Sequence, residues 1–247
     1  DDFGLIVNWR TTTMILGCQP GNVFVNEATT CLATVTDITS QGTKSNPGGD
    51  VAFFTASGGT FSSPSCTLAM SAADTSTCSV MYTPTDGTDL SHSIQANYAG
   101  GQDLIHAGSS TTTSVTVKLR PTVFTADCTP ANYSGSPPYN FSCKATIAEQ
   151  SGLPGTASTP AGTVSWELNP GMVTATCTLA GGMCTSNLVG NDGDALVYAA
   201  TGTYSHATSP AVHADSGAVD NMTKSIPAGS PVNVTAGSIS LTSVCFG

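Results

Sequence analysis

Residues 17–35 read GCQPGNVFVNEATTCLATV. Cys31, Ala33 and Val35 fall on one side of an extended chain, and Leu32, Thr34 and Thr36 on the other. That alternation is the period-2 pattern of a half-buried β-strand. Cys18 closes an earlier β-type run, TTTMILGC, and Pro20–Gly21 lead the turn between the two. The stretch predicts two antiparallel strands tied near their ends by a Cys18–Cys31 bridge.

The device recurs further down the chain. Cys128 answers Cys18, Cys143 answers Cys31, Cys177 answers Cys66 and Cys184 answers Cys78, at offsets of 110, 112, 111 and 106 residues. GTVSWEL answers GDVAFFT, so Trp166 corresponds to Phe53. GTYSHATSPAVHADSG answers ANYAGGQDLIHAGSS, so Tyr204 corresponds to Tyr98 and His213 to His106. This order describes a tandem duplication. Between the matched positions lie short alternating runs separated by turn signals. Val51 and Phe53 form one, Cys78, Val80 and Tyr82 a second, Ile94, Ala96 and Tyr98 a third, and Val115, Val117 and Leu119 a fourth. About seven short strands per copy is the pattern of a β-sandwich. The predicted fold is therefore all-β. An N-terminal strand extension covers 1–9, domain 1 covers 10–119, domain 2 covers 120–226, and a C-terminal tail strand covers 227–247. KLRPT is the whole junction between the copies, which favours two sandwiches stacked end to end as a semi-rigid rod.

The pattern TTT…C.P, then TC.ATV, then G.V.F, then CTL…C and a Tyr-ended strand resembles the bacterial Ig-like repeats of extracellular surface and adhesive proteins. The resemblance spans both copies, roughly Arg10 to Ile226. It implies tandem Ig-like domains in an extracellular, modular, non-enzymatic protein. The additional ends and the odd cysteine depart from a plain spacer repeat.

Composition narrows the function. Charged residues make up 9% of the chain, against roughly 25% in ordinary soluble proteins. Surface polarity then falls to Thr, Ser, Asn and Gln, and Thr suits strands. The net charge is −10, and the six basic residues are scattered. Nucleic acid and anionic membrane surfaces are poor partners for such a chain. No apolar run approaches the ~18 residues of a membrane span. Nine cysteines without a CxxC pair point to disulfides in an oxidising compartment rather than to zinc or redox motifs. The start at Asp-Asp-Phe suggests a processed, secreted chain. No GxSxG, HExxH, Walker or dinucleotide motif occurs, so the expectation is a non-enzyme with no cofactor.

The cysteines pair best as Cys18–Cys31, Cys66–Cys78, Cys128–Cys143 and Cys177–Cys184. Each bridge closes a short loop and recurs in the other copy. The competing pattern, the inter-sheet bridge of antibody domains, needs cysteines about 50 or more residues apart. Cys245 is left unpaired. Asp86 and Asp89 in TDGTD, and Asp192 and Asp194 in NDGD, occupy matching loops. Clustered oxygen ligands suit Ca²⁺, but Asp-Gly is also a plain turn former, and the turn is favoured. Asn132, Asn140, Asn221 and Asn233 open N-glycosylation sequons. The four histidines are expected in loops, with a structural role for His106 and His213.

These features lead to an extracellular structural subunit, a surface filament or pilus-like protein built head to tail from identical subunits by β-strand donation. The donated ends are the candidate subunit interface: Phe3, Leu5, Val7 and Trp9 at the N-terminus, Ile239 and Leu241 in the tail. The N-terminal face buries more apolar area. Competing functions are a cell-surface adhesin or glycan-binding Ig-like module, and a virion decoration protein.

Overall fold

The computed structural model describes residues 8–225. The expected N-terminal strand face of Phe3, Leu5 and Val7 lies outside the described residues, and so do Ile239, Leu241, Asn233 and Cys245. Within them the chain is all-β, as its alternation predicts. The first half contributes β1 (Thr12–Gln19), β2 (Asn22–Phe24), β3 (Thr29–Asp37), β4 (Asp50–Thr55), β5 (Gly59–Phe61), β6 (Ser65–Thr67), β7 (Ala69–Ala72), β8 (Thr75–Pro84), β9 (Ser91–Gly100) and β10 (Ala107–Lys118). One sheet runs β1-β3-β8-β5, with β7 also on β8; the facing sheet runs β2-β10-β9-β4-β6. The second half contributes β11 (Thr122–Thr129), β12 (Asn132–Tyr133), β13 (Tyr139–Glu149), β14 (Gly162–Asn169), β15 (Val173–Thr178), β16 (Met183–Gly190), β17 (Val197–His206) and β18 (Ser216–Lys224). Its sheets run β11-β13-β16 and β12-β18-β17-β14-β15.

The reason for each strand is visible in its alternation. In β9, His92, Ile94, Ala96 and Tyr98 are buried, while Ser91, Ser93, Gln95 and Asn97 face water. Facing sheets then close over their apolar sides. Leu16, Cys31 and Val35 meet Val51, Phe53, Ile94 and Tyr98 in the first core; Phe141, Ile147 and Leu188 meet Trp166, Tyr198 and Tyr204 in the second. Each large side chain fully buried this way stabilises by about 1.5–3 kcal/mol. Both cores treat the equivalent tyrosine alike. The Tyr98 hydroxyl donates to the Gly48 carbonyl at 2.9 Å, and the Tyr204 hydroxyl to the Ala161 carbonyl at 2.8 Å.

The opening hairpin forms in the register its cysteines require. Cys18 lies directly opposite Cys31, and Cys128 opposite Cys143, with Cα–Cα distances of 4.0 Å in both pairs. The turn between them holds more structure than its sequence suggests. Residues Asn22–Phe24 form a short parallel strand on β10, with Val23 opposite Val117. Asn132–Tyr133 repeat this against β18.

The other two bridges correct an expectation. Cys66 sits on β6 and Cys78 on β8, strands of facing sheets; Cys177 on β15 and Cys184 on β16 are divided in the same way. These pairs span the sandwich, with Cα–Cα distances of 5.7 and 5.8 Å. An inter-sheet bridge does not need antibody-like spacing here. At this edge the chain passes straight from one sheet to the other, so cysteines 12 and 7 residues apart already face across the core. The histidines differ as well. His92 is a strand residue buried beside Tyr82, with 2.6 Å between the tyrosine hydroxyl and Nδ1.

Candidate functional site at the domain junction

Each sandwich begins with an arginine just before its first strand. Arg10 makes an isolated parallel bridge to His106, and Arg120 makes the same bridge to His213. The Arg10 amide donates to the Ile105 carbonyl at 2.9 Å and the Arg120 amide to the Val212 carbonyl at 2.8 Å. Both side chains turn onto an acid that ends the third strand of its copy, Asp37 on β3 and Glu149 on β13. Arg10 Nε meets Asp37 Oδ2, and Arg120 Nη2 meets Glu149 Oε1, each at 2.5 Å. A serine amide closes the acid from the other side: Ser45 to Asp37 at 3.1 Å, Ser158 to Glu149 at 3.1 Å. The histidine then lies 3.5 Å from the same carboxylate in both copies.

Electrostatics follow from this enclosure. Burial pushes the Asp37 carboxyl up, but the Arg10 hydrogen bond and the Thr39 and Ser45 amides outweigh it and hold the group well below the usual range. The Arg120 hydrogen bond does most to hold Glu149 low. Burial lowers His213, so its neutral form is the stable one at neutral pH. The constellation is a structural clamp: its charges are paired internally.

In the second sandwich the clamp also grips the first. Arg120 is fully buried. Its Nη1 donates to the Val25 carbonyl at the end of the first sandwich and to the Pro154 carbonyl in its own, both at 2.9 Å. Beside it the Thr156 amide donates to the Asn26 carbonyl at 3.0 Å. Gly155, at φ +82°, brings the chain so close that an added Cβ would lie 2.3 Å from the Asn26 oxygen. On the other flank Asp86 Oδ1 accepts the Ala211 amide at 2.9 Å, and the Gly87 amide donates to the Ala211 carbonyl at 2.7 Å. A Cβ on Gly87 would meet Leu119 at 2.7 Å and Val25 at 3.1 Å. With Val25, Gly87, Arg120 and Ala211 all buried, the junction is packed and hydrogen-bonded rather than a linker.

The acidic loops thus have an observed use. Besides Ala211, Asp86 Oδ1 accepts the Thr88 amide at 2.9 Å and hydroxyl at 2.7 Å, and the Thr88 side chain is the first cause of its lowered pKa. Asp192 Oδ1 accepts the Asp194 amide at 2.9 Å, the same turn in the other copy. Asp89 and Asp194 are exposed. No cluster of three metal-ligating side chains occurs among the described residues. Asn132, Asn140 and Asn221 are exposed on strands, and Trp9 is 53% exposed at the outer end of the first sandwich. The structure does not bring these residues together.

The sequence points to His106 and His213 as structural and not to the arginines and acids of the clamp, although these leave a signal too. Two of only six basic residues, Arg10 and Arg120, stand 110 positions apart, and Asp37 and Glu149 stand 112 apart. Charges that recur in register in a chain with so few of them mark a repeated ion pair.

No family model matches the chain, and no curated protein sequence matches it. Among solved structures it is similar to the Yersinia pseudotuberculosis adhesin InvE, at 16% identity and a TM-score of 0.41; the match covers 84% of this chain and 58% of that one. The chain therefore spans less than two thirds of that structure's length. No helix among the described residues is long and apolar enough to cross a membrane.

Proposed function

We propose that this chain is an extracellular structural subunit, a surface filament or pilus-like protein whose Ig-like sandwiches stack head to tail with identical copies. It works without a cofactor and performs no catalysis. The observation that carries this is the junction. Two sandwiches meet through Arg120, Gly155 and the Asp86–Gly87 turn with no flexible segment between them. A chain built this way transmits position and force along its length, which suits a scaffold more than an independent binding module. Four cysteine pairs at disulfide distance fit an oxidising compartment. So few charges suit a surface meant for packing, since buried charges carry a desolvation cost.

In this reading the copies are joined by donation of residues 1–9 or of the tail to a neighbour's open sheet edge. Deletion of residues 1–9, and separately of residues 230–247, tests that step by negative-stain electron microscopy of the purified chain. Loss of fibres with one deletion supports donation of that end. Fibres unchanged by both deletions refute strand donation.

A further inference from the structure

The first sandwich carries the same docking set that the second uses on the first, uncovered among the described residues. Arg10 corresponds to Arg120 through the same strand bridge and the same acid–histidine–serine partners. Gln41-Gly42-Thr43-Lys44-Ser45 corresponds to Pro154-Gly155-Thr156-Ala157-Ser158. Gly42 holds φ +75° where Gly155 holds +82°, so both turns present the following amide in the same way. Leu104–Ile105 correspond to Ala211–Val212, and Trp9 corresponds to Leu119.

What differs is cover. Ala211 is 4% exposed, whereas Leu104 is 85% exposed and Ile105 46%. Gly155 is pressed against Asn26, while a Cβ on Gly42 would have only Arg10 Nη1 near it, at 3.6 Å. Arg120 spends its Nη1 on the neighbouring sandwich. Arg10 Nη2 is buried and has no hydrogen-bond partner among the described residues. The atom that meets Val25 in the second sandwich is Nη1; Arg10 Nη1 lies beside Gly42 and makes no hydrogen bond among the described residues, so a backbone carbonyl placed as Val25 is placed against Arg120 would give it an acceptor.

The matching surface is present at the far end of the second sandwich. Residues 134–136 follow Tyr133 of β12 as Phe24–Asn26 follow Val23 of β2, and 134–136 are all exposed. Asp192–Gly193 correspond to Asp86–Gly87. Asp192 is exposed and Gly193 half-buried, where Asp86 is half-buried and Gly87 buried under the next sandwich. The loop is two residues longer than its counterpart, and the Gly135 carbonyl already accepts the Tyr139 hydroxyl at 2.8 Å. Among the described residues no hydrogen bond is made to its second lone pair or to the carbonyls of Ser134 and Ser136.

We propose that the Arg10–Gly42–Leu104 face receives the 134–136 and 192–193 end of a second copy of this chain, repeating between molecules the junction found within one. This rests on the head-to-tail reading above and names the surfaces in contact. It is separate from strand donation, because only Trp9 of the docking set lies in a terminal segment and the test substitutes none of residues 1–9.

The test uses the full chain with Cys245→Ser, so that engineered thiols have no free competitor. Thr43→Cys and Ser136→Cys are prepared separately, mixed and mildly oxidised. The expected result is a cross-linked dimer in the mixture well above that in either preparation alone. Gly42→Ala and Leu104→Asp, each added to the Thr43→Cys chain, should lower the cross-linked yield about tenfold or more, through one lost junction contact each. Circular dichroism and thermal melting of the variants check that the monomer still folds. A mixture that cross-links no better than its components overturns the proposal. Cross-linking within a longer native polypeptide, to a domain upstream of residue 1, overturns it in favour of that domain. Fibres unaffected by Gly42→Ala and Leu104→Asp overturn this interface and leave head-to-tail assembly standing. A native chain that never self-associates overturns both.

Discussion

Replacing Arg120 with methionine should cost the second sandwich and the junction more than any other single surface-to-core charge deletion among the described residues. Methionine retains much of the buried aliphatic stem, so the loss is chiefly electrostatic. Hydrogen bonds from a charged donor contribute roughly 1.5–3 kcal/mol each, and Arg120 supplies two to carbonyls, Val25 and Pro154. It also neutralises Glu149, whose side chain is 9% exposed; breaking such a pair costs about 3–5 kcal/mol. These terms overlap. They are also offset by about 1–3 kcal/mol, because Arg120 Nε is itself buried without a partner and its removal is favourable. The net expectation is a loss of about 3–5 kcal/mol. Arg10→Met is the internal control. It breaks the equivalent pair with Asp37 but severs neither a bond to another sandwich nor a counterpart of the Pro154 bond, so Arg120→Met should exceed it by at least the roughly 1–3 kcal/mol of one such bond. Urea unfolding reads both, Arg120→Met by the fluorescence of Trp166 in the second core and Arg10→Met by circular dichroism, since the first core holds no tryptophan. Adding Glu149→Gln to Arg120→Met should recover part of the loss by removing the stranded charge. Equal costs for the two arginines would show that the bond across the junction contributes nothing to stability.

Gly155→Ala should disrupt the junction, since its Cβ would meet the Asn26 carbonyl carbon and oxygen at 2.8 and 2.3 Å. Gly42→Ala, with a similar φ but open space, should cost only the roughly 1–2 kcal/mol of a left-handed alanine; small-angle scattering and melting separate the two outcomes. Stability should fall as pH is lowered, in two stages. His92 and His213 are held below their usual pKa by burial, so the unfolded chain takes up protons first and stability declines below about pH 6.5. Asp37, Asp86 and Glu149 are also depressed, and Asp103 is lowered to about 2. Their contribution is complete above about pH 5, beyond the unfolded values of both Asp and Glu, and is lost as pH falls through their folded values. Urea midpoints between pH 8 and 3 follow this, and a midpoint that rises from pH 7 to 5 contradicts it. Removing either inter-sheet bridge by Cys66→Ala with Cys78→Ala, or Cys177→Ala with Cys184→Ala, should cost about 2–3 kcal/mol by loop entropy, read from denaturant unfolding.

Much of the fold is legible because the core is made by alternation. His92, Ile94, Ala96 and Tyr98 announce a strand without any tertiary knowledge, and repetition of the cysteines announces a second copy. Less legible is anything decided by which sheet a short strand joins. Cys66 and Cys78 look like a local hairpin staple in sequence, yet β6 and β8 belong to opposite sheets, a choice made by edge pairing with β4. The junction is harder still. Three of its acceptors are the backbone carbonyls of Val25, Asn26 and Ala211, which every residue type carries, so no motif marks them; a fourth, Asp86 Oδ1, reads in the sequence as a plain Asp-Gly turn. A clearer trace is left by Arg120 and by the glycine at 155 that lets the backbones approach. The same trace, Arg10 and Gly42, appears at the outer end of the first sandwich. A single copy of the sequence would make these two residues an ordinary ion pair and an ordinary turn. The second copy, where the corresponding pair is buried against another sandwich, is what lets the outer face be read as half of the junction proposed between copies.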